Sequence, residues 1–507
     1  MKSWKSTINQ LSLHKASNCY SMQDFIDKIK QLQLISEELE PTEANRDMYF
    51  NLVRNFSNEF INSLGNKKAY HQSSVNESLF RIEDETKKLP EIIDIFKKEV
   101  SGKGINAASG GHLGYIPGGG IFSSSLADMM VDVSNEYAGM HFASPGGITM
   151  ENELIEWMSS IFGYPKSTVG NLTSGGSIAN MIAMTTARDH HQIKGSKIEK
   201  SVIYLSEQTH HCVHKALRII GLEDVILRYI EVDDQSRMNP EDLNQKIHID
   251  IENGLLPFMI VASAGTTDTG VIDPLNLIAD IAQNNKLWLH VDAAYGGFFI
   301  LTDLKKDLFK GIERSDSLVV DPHKGLFLPY GIGAVLVKNK KAVYKSHHAT
   351  AHYMQDALED DGPINPADVS PELTRHFRGM RMWLPLQLHG VKPFAACLEE
   401  KILLTSYIRQ HLDNLGFQLG PDPDLSVTYF WYEPKKTETN EFNKKLLSFM
   451  HEDGRYFFSS TKIKDRFVIR VAILSFRTKL REVDLALKMI NTCLNKTIEF
   501  FKLSKDN

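Results

Sequence analysis

The run Asp321-Pro322-His323-Lys324-Gly325 places one lysine directly after an apolar segment, Ser317-Leu318-Val319-Val320, and shortly before another, Gly333-Ala334-Val335-Leu336-Val337. Short apolar runs bounded by turn formers read as buried strands. A lysine at the end of such a strand is placed for a partly dry pocket. Desolvation there lowers the amine's proton affinity and frees its lone pair to bond a carbonyl carbon. A surface turn uses the same residues. Upstream, Leu287-Trp288-Leu289-His290-Val291-Asp292-Ala293-Ala294-Tyr295-Gly296-Gly297 reads as a second buried strand running into small residues. Asp292, at its C-terminal end, can pair with a protonated ring nitrogen and keep that ring electron-poor, while the small residues leave room for a flat group. Capping the next turn is the other use of such an Asp. Thr173-Ser174-Gly175-Gly176-Ser177 precedes helical apolar spacing from Ile178 to Met184. A Gly- and Ser-rich turn opening a helix offers N–H groups, hydroxyls and a dipole to a phosphate, or simply caps the helix.

In order and spacing these elements resemble the group II pyridoxal phosphate-dependent decarboxylases, the family of aromatic amino acid, histidine, glutamate and cysteine sulfinate decarboxylases. The resemblance runs from about Pro41 to about Leu487. Ser206-Glu207-Gln208-Thr209-His210 is similar to the family segment whose histidine stacks on the cofactor ring. Ser144-Pro145 with Glu151 and Trp157, Gly265-Thr266-Thr267, and the stretch from Arg375 to Trp383 resemble further family motifs in register. The resemblance implies an α/β, aminotransferase-like fold (fold type I) with a mainly parallel sheet. It implies a homodimer with the active site at its interface, and conversion of an L-amino acid to an amine and carbon dioxide. Pyridoxal phosphate (PLP) would be bonded to Lys324, with Asp292 at its ring nitrogen and His210 and Ala294 on opposite ring faces. Gly176 and Ser177 match the phosphate turn, and His323 matches the histidine before the lysine.

Tyr115 and Pro117, in Gly114-Tyr115-Ile116-Pro117, resemble the pocket segment of the aromatic branch and tilt the expected substrate towards an aromatic amino acid. Acidic amino acids, diaminobutyrate and histidine stay open. Arg378 either meets a substrate carboxylate or joins the subunit interface. Many family members carry a proton-donating tyrosine on a mobile loop beyond the lysine. The corresponding stretch here, Met354 to Ser370, is acidic, rich in turn formers and without tyrosine. Tyr353 just before it, His352 or Lys324 is left to protonate the substrate carbon. Otherwise another PLP activity results, such as oxidative aldehyde formation, C–C cleavage or transamination. A PLP-binding protein without catalysis is the remaining alternative.

These residues need a scaffold, and the chain has the length and composition for one. It has 507 residues, 42% of them hydrophobic, and a net charge of −6, which does not favour a nucleic-acid partner. Strand-like runs (Val202–Leu205, Phe258–Ala262) alternate with helix-like ones (Ala216–Ile220, Leu275–Ile281), the pattern of a parallel sheet covered on both faces. Ligands on such sheets bind beyond the strand C-terminal ends. Three parts are expected: a helical extension and dimerisation arm over residues 1–102, a PLP-binding domain over 103–390, and a small α+β domain over 391–507. Cys19, Cys212, Cys397 and Cys493 are widely spaced, which suggests reduced thiols and a cytoplasmic protein rather than disulfides. His210-His211 and His347-His348 lack partners at metal-ligand spacing, so no metal is expected. No apolar run is long enough to span a bilayer.

Overall fold

The computed structural model describes residues 21–348, 363–435 and 437–503. After a short antiparallel ribbon, β1 (Tyr70–His71) and β2 (Gly104–Ile105), the chain builds a seven-stranded sheet. Its strands are β3 (Val169–Thr173), β4 (Ser201–Ser206), β5 (Ile226–Ile230), β6 (Leu256–Ser263), β7 (Trp288–Asp292), β8 (Ser317–Val320) and β9 (Gly333–Val337). Their order across the sheet is β3-β9-β8-β7-β6-β4-β5. Every pairing from β8 to β5 is parallel, and β9 alone runs against its neighbours.

The continuous apolar runs have a direct cause: this sheet is buried on both faces. Alternate residues of a strand point to opposite sides. Tyr204, Ile260, Leu289, Val291, Leu318 and Leu336 enter one core. Helices Pro145–Ile161, Pro240–Glu252 and Leu275–Asn285 contribute to the same side. Ile203, Leu205, Met259, Val261, Trp288 and Val319 enter the other, under helices Gly176–His190 and Cys212–Ile219. Register places Ser263, Asp292 and Val319 side by side, so β6, β7 and β8 end at one level.

The C-terminal part adds an antiparallel four-stranded sheet: β10 (Gln418–Leu419), β11 (Val427–Trp431), β12 (Ser459–Ile463) and β13 (Arg466–Ala472), in the order β10-β11-β13-β12. Helices Lys392–Asn414, Thr439–Asp453 and Leu480–Leu503 share its core.

By packing of Cα atoms the chain forms two compact units. One ends at Ser63 and includes Glu77–Val100; the other comprises Leu64–Asn76 and everything from Ser101. The first is helical. Met22–Ser36 opens with a reciprocal cap in which Ser21 Oγ accepts from Asp24 N–H and the Asp24 carboxylate accepts from Ser21 N–H. Helix Glu43–Ser63 meets the segment beyond Leu89–Ile95 through the edge-to-face Phe56–Phe96 pair at 5.7 Å. Among the described residues no helix is long and apolar enough to cross a membrane, and no cluster of His, Cys, Asp and Glu has the makings of a metal site.

Candidate active site

Five strands deliver their following residues to one cavity of about 270 Å³. Beyond β3 come Ser174, Gly175, Gly176 and Ser177; beyond β4, Gln208, His210 and Cys212. Ser263 ends β6, and Gly265, Thr266 and Thr267 follow it. Asp292 ends β7, with Ala294 and Tyr295 after it, and Asp321, His323 and Lys324 follow β8. Thus Lys324, Asp292, His210, Ala294, Gly176, Ser177 and His323, separated by up to about 150 residues in sequence, share one space.

Lys324 lies in a single helical turn, Pro322–Gly325, with Asp321 before it, whose carbonyl accepts from the Lys324 and Gly325 N–H groups. Its Nζ is 3.0 Å from Asp321 Oδ2. Burial pushes the amine's pKa down, as the strand-end position suggests. The Asp321 carboxylate, by charge and hydrogen bond and with Asp292 behind it, outweighs burial and holds the amine above the usual lysine range. The free amine expected from desolvation alone is therefore corrected: this carboxylate keeps Lys324 protonated. His323 Nε2 lies 3.7 Å from the same Asp321 oxygen, and its Nδ1 meets the Ile332 carbonyl.

Asp292 accepts from the Ala294 N–H at 3.0 Å and from Asn180 Nδ2 at 3.3 Å. Burial pushes the His210 pKa down, against the pull of Asp292, so the ring is neutral. His210 Nδ1 accepts from the Cys212 N–H at 3.3 Å, which leaves the proton on Nε2. The Cys212 thiol is pushed up to about 12 by burial and the nearby Asp292 charge, so it is no thiolate nucleophile.

The Gly-Ser turn is built for close approach. Gly175 has φ +152°, which disfavours any side chain. A Cβ on Gly176 would stand 3.0 Å from Asp321 Oδ2 and 3.3 Å from the Ala294 Cβ. The Gly176 and Ser177 N–H groups precede the first bond of helix Gly176–His190, which Ile178 N–H makes to the Gly175 carbonyl at 3.1 Å, and lie at the positive end of its dipole. β3 is held behind this turn by buried arginines. Arg375 donates to the Leu172 carbonyl at 2.6 Å while paired with Glu151 at 2.5 Å. Arg378 donates to the same carbonyl at 3.2 Å and pairs with Glu372 at 2.9 Å.

Arg378 is therefore committed to the scaffold and does not line the cavity. Tyr115 and Pro117 do not line it either. Tyr115 is 59% exposed at φ +52°, its ring 5.7 Å from Phe457, and Pro117 is buried. Tyr353, His352 and most of the Met354–Ser370 stretch lie outside the described residues. Sequence reasoning missed Asp321 as a functional group, although it stands within the opening motif. It also missed Asn180, Arg470 and Arg477. Arg470 donates to the carbonyls of Tyr115 at 2.9 Å and Asp268 at 3.1 Å, and also to that of Thr267. Arg477 donates to those of Ala108 at 3.2 Å and Gly120 at 3.3 Å. Two side chains from the C-terminal part thereby hold the loop that carries Tyr115.

The pyridoxal-dependent decarboxylase conserved domain matches residues 82–433. The chain belongs to that family. It is 34% identical over 378 residues to the aromatic-L-amino-acid decarboxylase of Bacillus atrophaeus, covering 73% of this chain and 78% of that protein. Phenylacetaldehyde synthase of Arabidopsis thaliana is 25% identical over 422 residues, covering 80% and 86%. The solved structure of Oryza sativa TDC with PLP and tryptamine superposes with a TM-score of 0.85 at 20% identity, covering 90% of this chain and 99% of that one. The fold is aminotransferase-like, fold type I. As a pyridoxal-dependent decarboxylase, the protein is a PLP-dependent carboxy-lyase that converts an L-amino acid to the amine and carbon dioxide.

The cavity fits that cofactor on its own terms. Its donor-rich turn suits a phosphate, its single amine suits an aldehyde, and a carboxylate stands at a strand end between small residues. Two buried oxygens of lining residues, Asp321 Oδ1 and Gln208 Oε1, have no hydrogen-bond partner within the protein. Buried polar atoms are normally paired, so these mark where a polar ligand docks.

Proposed function

We propose that this decarboxylase takes an aromatic L-amino acid as substrate. The observation that carries the site assignment is the meeting of Lys324, Asp292, His210 and the Ser174–Ser177 turn in one cavity at the strand ends. PLP, when bound, supplies an electron sink for the pair left behind as carbon dioxide departs. Lys324 is the amine that would bind its aldehyde. Asp292 would hold a proton on its ring nitrogen, and the neutral His210 ring would cover one face with Ala294 at the other. Gly176, Ser177 and the helix dipole would hold the phosphate, with His323 beside them. Lys324, whose ammonium is held 3.0 Å from Asp321 Oδ2, is the described group best placed to return a proton to the substrate carbon.

The aromatic preference draws on the name of the Bacillus atrophaeus relative. We further infer a cytoplasmic homodimer. Residues 1–102 would serve as its arm, 103–390 as the cofactor domain and 391–507 as the small domain. The relative that forms phenylacetaldehyde keeps a second product in view. A panel of aromatic, acidic and basic L-amino acids, with amine, carbon dioxide, aldehyde and peroxide all measured, tests both. Amine and carbon dioxide in equal amounts from tryptophan, tyrosine or phenylalanine support the proposal. Turnover confined to acidic or basic substrates refutes the aromatic assignment, and equimolar aldehyde and peroxide refute amine formation.

A further inference from the structure

Beneath Asp292 lies a line of buried polar side chains that the catalytic reading does not use. Asn180, the fifth residue of helix Gly176–His190, is fully buried with its amide between Asp292 and His290. Its Oδ1 is 2.8 Å from His290 Nε2. His290 Nδ1 is 2.8 Å from Ser317 Oγ, and Ser317 Oγ is 2.8 Å from the Trp288 indole Nε1. None of these side chains has water to fall back on: His290 and Ser317 are fully buried and Trp288 nearly so.

The two ends fix the direction of every bond between them. An indole N–H only donates, and an ionised carboxylate only accepts. Trp288 therefore donates to Ser317 Oγ, whose own hydrogen goes to His290 Nδ1. His290 must then carry its proton on Nε2, which donates to Asn180 Oδ1. The Asn180 Nδ2 hydrogens are turned towards Asp292 Oδ2 at 3.3 Å and the Gly176 carbonyl at 2.9 Å. Flipping the amide would set its oxygen against the carboxylate and leave the Ser317 hydrogen without an acceptor.

We propose that this relay, Trp288 to Ser317 to His290 to Asn180, sets the orientation of Asp292, making Asn180 and His290 positioning residues for the cofactor's ring nitrogen. A hydrogen bond donated to a carboxylate favours its charged form. With Oδ2 taken by Asn180 and Oδ1 by the Ala294 N–H, both oxygens of Asp292 are held as acceptors and the carboxylate is fixed in place to meet a ring N–H. A proton shared with a ring nitrogen then stays on the nitrogen. Partners of this kind, one step removed from the group they serve, fix its tautomer and geometry. The proposal rests on the placement of Asp292 opposite that nitrogen.

The test uses holoprotein loaded with PLP labelled with ¹⁵N in the ring, observed by NMR. Wild-type protein should show the shift of a protonated ring nitrogen. Asn180→Leu keeps the side chain's size and removes its donors; the shift should move towards that of an unprotonated ring, and cofactor should be lost roughly 10–100-fold more readily. His290→Gln, which retains an N–H facing Asn180, should stay near wild type in both. A wild-type ring nitrogen already unprotonated overturns the placement of Asp292 itself. A protonated wild type with an unchanged Asn180→Leu shift and retention overturns the relay alone. Should Asn180→Leu fail to fold, the wild-type imidazole ¹⁵N spectrum decides: His290 protonated on Nε2 is required, and protonation on Nδ1 overturns the proposal.

Discussion

Single residues at strand ends were the legible part of this site. Lys324, Asp292 and His210 each follow an apolar run whose end is visible in the sequence, so their exposure to a common cavity follows from the fold class. What the sequence withheld was charge. Asp321 stands three residues before Lys324 and turns its ammonium from a desolvated, acidified group into a stabilised one. Asp321→Asn leaves burial unopposed by that partner, so the pH profile for chemical labelling of Lys324 in cofactor-free protein should move to lower pH. An unmoved profile would show that Asp292 supplies the stabilisation instead. In the loaded protein, borohydride should fix cofactor mass to the peptide containing Lys324, and Lys324→Ala should abolish the adduct and turnover. Adduct on another lysine would sink that assignment. Asp292→Asn keeps the shape and removes the charge. Breaking one side of a buried ion pair costs about 3–5 kcal/mol. Felt wholly in the transition state, this would slow turnover by roughly two to four orders of magnitude. A loss within a factor of about three would leave Asp292 a structural role only.

At the scale of elements, periodicity found the strands and helices but not what ties them together. The helix-like run expected at Leu275–Ile281 belongs to helix Leu275–Asn285, and the strand expected at Val202–Leu205 spans Ser201–Ser206. The ties are long-range. Arg470 reaches Tyr115 across 355 positions and Asn180 reaches His290 across 110, separations no local pattern encodes. The most exacting tie is at β3, an edge strand of the main sheet that leads straight into the Ser174–Ser177 turn. Its Leu172 carbonyl takes hydrogen bonds from both Arg375 and Arg378. Arg375→Leu leaves Glu151 buried and unpaired, a loss of about 3–5 kcal/mol. Urea unfolding should show it as a lower midpoint, with weaker cofactor retention because the turn's supporting strand loses a donor. Normal stability in the variant would mean that the Arg378 and Gly379 N–H groups, which already donate to Glu151 Oε1, suffice to hold its charge.

Across the whole molecule, the buried histidines set how the fold answers acid. Composition shows 19 histidines without showing which are dry. His112, His191 and His290 are each lowered to about 4, chiefly by burial. Below pH 6.5 the unfolded chain takes up protons that these rings refuse, so stability falls as pH drops from 6.5 towards 4 and levels off below it. Asp273 works in the opposite sense. Burial raises its carboxyl to about 6, so between 6 and the ordinary aspartate value the folded state binds the extra proton and gains stability as pH falls. It offsets about one histidine, leaving a net loss on acidification. Fully buried His290 alone accounts for about 2 kcal/mol between pH 7 and pH 5. His290→Gln cannot protonate, so its urea midpoint should fall less than that of wild type between these two pH values, whatever its stability at pH 7. Parallel pH dependence in the two proteins would mean that His290 gains its proton in the folded state as readily as in the unfolded chain, through water reaching the base of β7.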